Sequence, residues 1–335
     1  MKSFILKLIS ALVLTTLMFS AVSFGQENRT VNVTASGQPE IYFVRDVIGQ
    51  FNQLALRPDP LAFNLSPTAP DPKIGKHFQG IVRRHGPGTP YMFLSRSGND
   101  VLECVGCDDD PGNIFIVRMQ SRDTNGERMR SNRLRLDWSI ASTVYPGLPN
   151  FWPTPPDTRD KNFRTIHFNG QDGWPNYAHP GGMQTVGDVL VVPLSRPYNK
   201  GESENLILFV DVSNPEAPAP LSQFDPLSVS DPSSEFGVGE VAVTPVQNPG
   251  GPGVRYIMLV AGASDRDVRL YRSRATEGDG STNLKNTNLT WDFIGSWNRQ
   301  NVTDTGEAAW PCCESQSHQM FNFVRQGNMN GPLFL

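Results

Sequence analysis

A strand-opening motif that comes back along the chain is the strongest constraint on how this sequence can fold. His77-Phe78-Gln79-Gly80 leads into Ile81-Val82-Arg83, and His179-Pro180-Gly181-Gly182 leads into Met183-Gln184-Thr185-Val186. Phe236-Gly237-Val238-Gly239 leads into Glu240-Val241-Ala242-Val243, and His318-Gln319-Met320-Phe321 leads into Asn322-Phe323-Val324. A second apolar run follows each: Tyr91–Leu94, Val189–Val192, Tyr256–Val260 and Leu333–Leu335. The first three units add a third run, Ile114–Val117, Leu206–Val212 and Val268–Tyr271. A fourth is visible in two of them, at Leu134–Trp138 and Leu289–Phe293. Runs this short, rich in β-branched and aromatic residues and bounded by Gly, Pro and Asn, are strands. A repeated sheet of four cannot bury both of its faces alone, so neighbouring units must stack. The expected fold is all-β, a β-propeller with four-stranded blades. A sandwich would share the alternation but not the recurring motif. The uneven spacing of the motifs is assigned to long loops.

The N-terminus sets the domain plan. Lys2 and Lys7 precede an apolar run from Leu8 to Val22, and small residues follow up to Gly25. This is the pattern of a secretory signal peptide over residues 1–25, with cleavage after Gly25 or, alternatively, Ser23. The run is short for a membrane span, and no Cys stands at the exit to carry a lipid anchor. Residues 26–76 hold N-terminal strands near Val31–Val33 and Ile41–Arg45 and a Pro-rich connection. Residues 77–335 hold the blades, three complete and one partial. The last blade stops at Leu333-Phe334-Leu335, inside an apolar strand, so the propeller reads as incomplete at the C-terminus, with the N-terminal strands as candidates to close it. The mature chain shows no second apolar span, which places it in a secreted or periplasmic compartment without a membrane span. Its formal net charge of −4 comes with no basic stripe, which argues against nucleic acid as a partner.

The run Leu206-Ile207-Leu208-Phe209-Val210-Asp211-Val212-Ser213-Asn214-Pro215-Glu216-Ala217-Pro218 resembles a blade segment of secreted bacterial β-propeller proteins with LVIVD-type blades. His77-Phe78-Gln79-Gly80, Leu270-Tyr271-Arg272-Ser273 and Phe321-Asn322-Phe323-Val324 are similar to segments of the same uncharacterised group. The resemblance implies a propeller scaffold and export, and carries over no catalytic residue. The Asp211-Val212-Ser213-Asn214-Pro215 turn also has a plain structural reading, since Asp and Asn side chains cap backbone N–H groups and Pro ends the strand.

Several residue sets could carry chemistry. Cys104 and Cys107 form a C-x-x-C, and Cys312 and Cys313 are adjacent. In an exported protein these are expected as disulfides, with connectivity open and zinc as the alternative. Asp108, Asp109 and Asp110 could make a calcium loop, or simply a solvated acidic turn. His77, His179 and His318 occupy the same place in three units, so rotation about an axis could bring them together as metal ligands. The equivalent Phe236 supplies no ligand, and a strand-opening His can equally bond a neighbouring blade's backbone carbonyl. Glu240 opens a first strand and is the candidate axial acid, without a second carboxylate to match it. No catalytic residue or cofactor is specified by any of these patterns. The leading expectation is a binding module for a protein or glycan partner. The alternative is a propeller enzyme with a His-ligated metal or carboxylate site at the central axis, and fold alone does not choose between them.

Overall fold

The computed structural model describes residues 30–32, 41–43, 47–48, 78–84, 91–98, 111–118, 161–197, 205–226, 228, 238–262, 267–298, 323–325 and 333–334. Apart from a helical pair at 47–48, the regular elements among them are strands, paired antiparallel within their sheets. Sheet I runs β3 (Phe78–Arg83), β4 (Tyr91–Arg96), β5 (Asn113–Arg118) and β6 (Lys161–His167), in that order. Sheet II has its first strand in two pieces, β7 (Tyr177–Pro180) and β8 (Gln184–Val186), both paired with β9 (Val189–Pro197). It continues through β10 (Asn205–Asp211) and β11 (Ala219–Phe224). Sheet III runs β12 (Val238–Gln247), β13 (Val254–Gly262), β14 (Asp267–Ser273) and β15 (Trp291–Asn298). Two short pairs flank these sheets: β1 (Thr30–Asn32) with β2 (Ile41–Phe43), and β16 (Val324–Arg325) with β17 (Leu333–Phe334). No helix among the described residues is long and apolar enough to cross a membrane.

The fourth strands differ from expectation. Leu134–Trp138 lies outside the described residues, and the fourth place in sheet I belongs to β6. In sheet II it belongs to β11, a strand whose alternating polar residues hide it in the sequence. In sheet III the strand starts at Trp291 and runs past the expected end to Asn298. The N-terminal strands pair with one another rather than with β16 or β17.

Sheet II is buried on both faces, and β10 shows why its sequence is an unbroken apolar run. Successive side chains on a strand point to opposite faces. Leu206, Leu208 and Val210 therefore pack with Tyr91, Phe93 and Ile116 of sheet I. Ile207 and Phe209 pack with Val241, Met258 and Trp291 of sheet III. Phe209 and Trp291 stack with ring centroids 5.7 Å apart. Each such side chain contributes about 1.5–3 kcal/mol by leaving water. The far face of sheet III carries a smaller apolar patch, Ala242, Leu259, Ala261 and Val268, against which Phe323 packs.

Where the sheets meet, their first strands come close enough for backbone to touch backbone. Gly182 N–H donates to the Gly239 carbonyl at 2.9 Å, and Val241 N–H donates to the Gly182 carbonyl at 3.0 Å. These bonds make a parallel bridge between Gly182 and Glu240, joining sheet II to sheet III. A Cβ on Gly181 would stand 1.9 Å from the Gly239 oxygen, and one on Gly80 would stand 3.0 Å from the Gly182 Cα. Glycine is required there because nothing larger fits between the strands.

Candidate functional site

The polar residues of the first strands gather at these seams. His179, on β7, faces sheet I, where its Nε2 lies 2.9 Å from the Gln79 side-chain nitrogen. With the Gln79 amide donating, Nε2 accepts and the ring proton sits on Nδ1, 3.4 Å from Ser195 Oγ. His179 thus bonds a side chain of the neighbouring sheet. A Ser–His pair raises the question of nucleophilic catalysis. The spacing is looser than the 2.6–3.2 Å of an activating bond. The far ring nitrogen meets an amide, where a triad would place an orienting carboxylate. The unit is a polar link between sheets.

Glu240, on β12, has no exposed surface, and alternation along the strand places its side chain on the Ala242 face of sheet III, opposite Val241 and Val243, which pack toward sheet II. Gln184, on β8, is also buried, and its amide reaches the backbone of Val243. Ser95 Oγ donates to the Gly181 carbonyl at 2.8 Å, Thr185 Oγ1 to the Arg83 carbonyl at 3.1 Å, and Val238 N–H to Asn205 Oδ1 at 2.8 Å. Each bond crosses from one sheet to the next. In sheet I, Arg96, Asn113 and His167 stand side by side on successive strands. Burial, and then the Arg96 charge, hold the His167 imidazole below its usual range.

His77 and His318 lie outside the described residues, as do Cys104, Cys107, Cys312, Cys313, Asp108, Asp109 and Asp110. Among the described residues no group of three or more His, Cys, Asp and Glu side chains is placed to hold a metal ion.

A second set of contacts, at the strand ends away from the glycine seam, was not legible in the sequence. The turn after β10 carries the expected caps, with Asp211 Oδ1 accepting Ser213 N–H at 2.8 Å and Asn214 Oδ1 accepting Glu216 N–H at 3.1 Å. That turn leans on sheet I. The Glu216 carboxylate receives the Arg118 guanidinium and, at 2.9 Å, the Tyr91 hydroxyl. Arg164 donates to the Glu216 carbonyl at 3.2 Å and Arg84 to the Ser213 carbonyl at 3.3 Å. All four strands of sheet I, or the residue just beyond one, thus contribute a donor to one turn.

Sheet II repeats the device toward sheet III with the charges exchanged. Lys285, in the connection between β14 and β15, lies 2.5 Å from Asp188 Oδ2 and 3.5 Å from Asp211 Oδ1. Burial works to raise the Asp211 carboxyl, but the Ser213 hydrogen bonds and the Lys285 charge outweigh it and hold it below the usual carboxylate range. Tyr256, buried between the same sheets, has its phenol pushed far up by desolvation and then by the Asp188 charge.

The only sequence signal for this second set was the acid that follows Asn214-Pro215. Its partners lie 98 and 125 residues away. Comparison with protein-family models, with curated proteins and with solved structures finds no match to this chain.

Proposed function

We propose that the chain is an exported β-propeller whose four-stranded sheets form a scaffold for binding a protein or glycan partner. The observation that carries the propeller reading is the parallel bridge from Gly182 to Glu240, which sets the first strands of two stacked sheets side by side. The close approach of Gly80 to Gly182 repeats that relation between sheets I and II. Consecutive meanders with their first strands innermost are the arrangement of propeller blades. The segment that resembles LVIVD-type blades is the third strand and following turn of sheet II. Export rests on the signal-peptide pattern of residues 1–25, and the oxidising compartment it implies favours disulfides for the four cysteines.

Binding is preferred to catalysis because of what the inner polar residues do. His179 spends its ring nitrogens on Gln79 and Ser195, and Glu240 has no exposed surface. His179 links two sheets, and the Glu240 carboxylate is out of reach of solvent. The test is metal analysis of the purified mature protein beside a screen of immobilised glycans and proteins. Saturable binding without a stoichiometric transition metal supports the reading. A stoichiometric metal that disappears in His179→Ala overturns it in favour of an axial metal site.

A further inference from the structure

The far face of sheet III changes character along its length. Side chains two residues apart on a strand share a face. On β13, Leu259 and Ala261 belong to the apolar patch on which Phe323 packs. Arg255 lies on the same face four residues before Leu259, about 13 Å away along the strand. Ile257, between them, pairs with Arg272, and Arg272 pairs in turn with Asp292. Arg274 follows two residues after Arg272. Arg255, Arg272, Arg274 and Asp292 therefore gather at the end of the face beside the β12–β13 turn, away from Phe323.

That end holds a cavity of about 410 Å³, lined by these four side chains, by Asn248 and by the Pro249-Gly250 turn. Two of the arginines are pinned. Arg255 donates to the Ser273 carbonyl at 2.9 Å, and Arg274 donates to Asp292 Oδ1 at 2.6 Å. Arg272 is exposed and has no hydrogen-bond or ion-pair partner among the described residues. Three guanidinium groups face one carboxylate, so the cavity keeps two positive charges uncompensated. Like charges on neighbouring strands destabilise a sheet. An anion seated among them removes that cost, and the planar fork of a guanidinium suits a sulfate or a carboxylate.

Size and lining narrow the ligand further. A volume of about 410 Å³ is the share of on the order of ten waters, more than one small oxyanion fills. It falls within the roughly 300–1,000 Å³ of small-molecule sites. Among the described residues no aromatic ring lines the cavity, so a flat apolar group finds nothing to stack on. Asn248 and Asp292 offer amide and carboxylate partners for hydroxyls. A ligand that is anionic at one point and rich in hydroxyls elsewhere meets all of these conditions.

We propose that the Arg255–Arg272–Arg274 cavity binds an acidic sugar unit of a glycan, one bearing a sulfate or carboxylate, with Arg272 taking the anionic group. The inference rests on the reading of the chain as a binding module, and gives that module an acidic glycan as its ligand.

The experiment is isothermal titration calorimetry of the full mature chain with three probes: a sulfated, uronate-containing disaccharide, a neutral disaccharide of the same linkage, and sodium sulfate. The acidic disaccharide is expected to bind saturably and to weaken as salt is added. Binding should weaken about tenfold or more in Arg272→Gln, since a charge-assisted bond is lost. Arg272 is exposed, so the variant should melt like the parent. No saturable binding, binding indifferent to Arg272→Gln, or a neutral disaccharide that binds as tightly as the acidic one overturns the proposal. Sodium sulfate binding as tightly as the acidic disaccharide overturns it in favour of a site for free anions. If the acidic disaccharide fails while another glycan or a protein binds the parent and Arg272→Gln alike, this proposal alone falls and the binding-module reading stands.

Discussion

The side-chain amide of Gln184 pairs with both backbone polar groups of Val243, donating from Nε2 to the carbonyl and accepting the N–H at Oε1, each at 2.9 Å. An amide side chain here does the work of a strand, closing a gap between two sheets whose own ladders run elsewhere. Because the site is buried, removing it strands a donor and an acceptor. Gln184→Leu is expected to cost about 2–4 kcal/mol, from two buried groups left unpaired. Chemical denaturation would read this, and an unchanged midpoint would show that water replaces the amide.

Gly181 makes the sharper steric test. In Gly181→Ala the new methyl would meet the Gly239 oxygen at 1.9 Å, and that oxygen belongs to a backbone bonded to Gly182. Neither partner can turn away as a flexible side chain could. The variant is expected to lose the seam between sheets II and III, seen as poor soluble yield and a large drop in melting temperature. Gly250 supplies the control, because a Cβ there meets nothing within 4 Å and Gly250→Ala should melt like the parent.

The Arg118–Glu216 pair is open to a charge-swap cycle. Both side chains are partly exposed, 45% and 37%, so their coupling should be about 1 kcal/mol or less and should fade with added salt. Arg118→Glu alone should destabilise by more than that coupling, since it sets two carboxylates together and removes a partner of Tyr91. Adding Glu216→Arg should recover part of the loss. A double variant no better than the single one would mean that the two sheets do not meet here in solution.

Asp211 links stability to acid. Its carboxyl is held below the usual range, so between its native pKa and about pH 4 the folded chain binds fewer protons than the unfolded chain. The stabilisation is fully present above about pH 4 and is lost as pH falls through the native value. Asp211→Asn should therefore be less stable than the parent at pH 7, with the gap closing in more acidic solution. A gap independent of pH would assign the effect to packing instead of the Lys285 contact.

Much of the fold could be read from the residues themselves. The runs at Tyr91, Asn113, Val189, Leu206, Val241, Tyr256 and Val268 are strands because alternate apolar residues are buried on both faces of their sheets. The recurring motif was visible as well, but the close approach of its glycines was not. The positions of His179 and Phe236 drew attention to imidazoles, whereas the steric need shown in the structure lies at Gly80 and Gly181, which stand against the backbone of Gly182 and Gly239. A glycine's function here is to be approached, and that cannot be seen until the approaching strand is known. The outer strands were the weakest signal. In β11 only Ser222 and Phe224 are buried, so the strand carries little apolar pattern.

By itself the sequence determined the local elements: strands from two-residue alternation, and the Asp211–Pro215 turn from side chains that cap their own backbone two residues on. It did not determine which sheet face meets which, because a run buried on both sides reads the same whatever lies against it. Stacking decided that Gln79 meets His179, that Gln184 meets Val243, and that the charge of Arg118 is answered by Glu216. Those partners lie 59 to 100 residues apart. At such separation the pairing is set by packing two sheets at backbone distance, and a carboxylate such as Glu216 becomes a clamp only once its neighbour is in place.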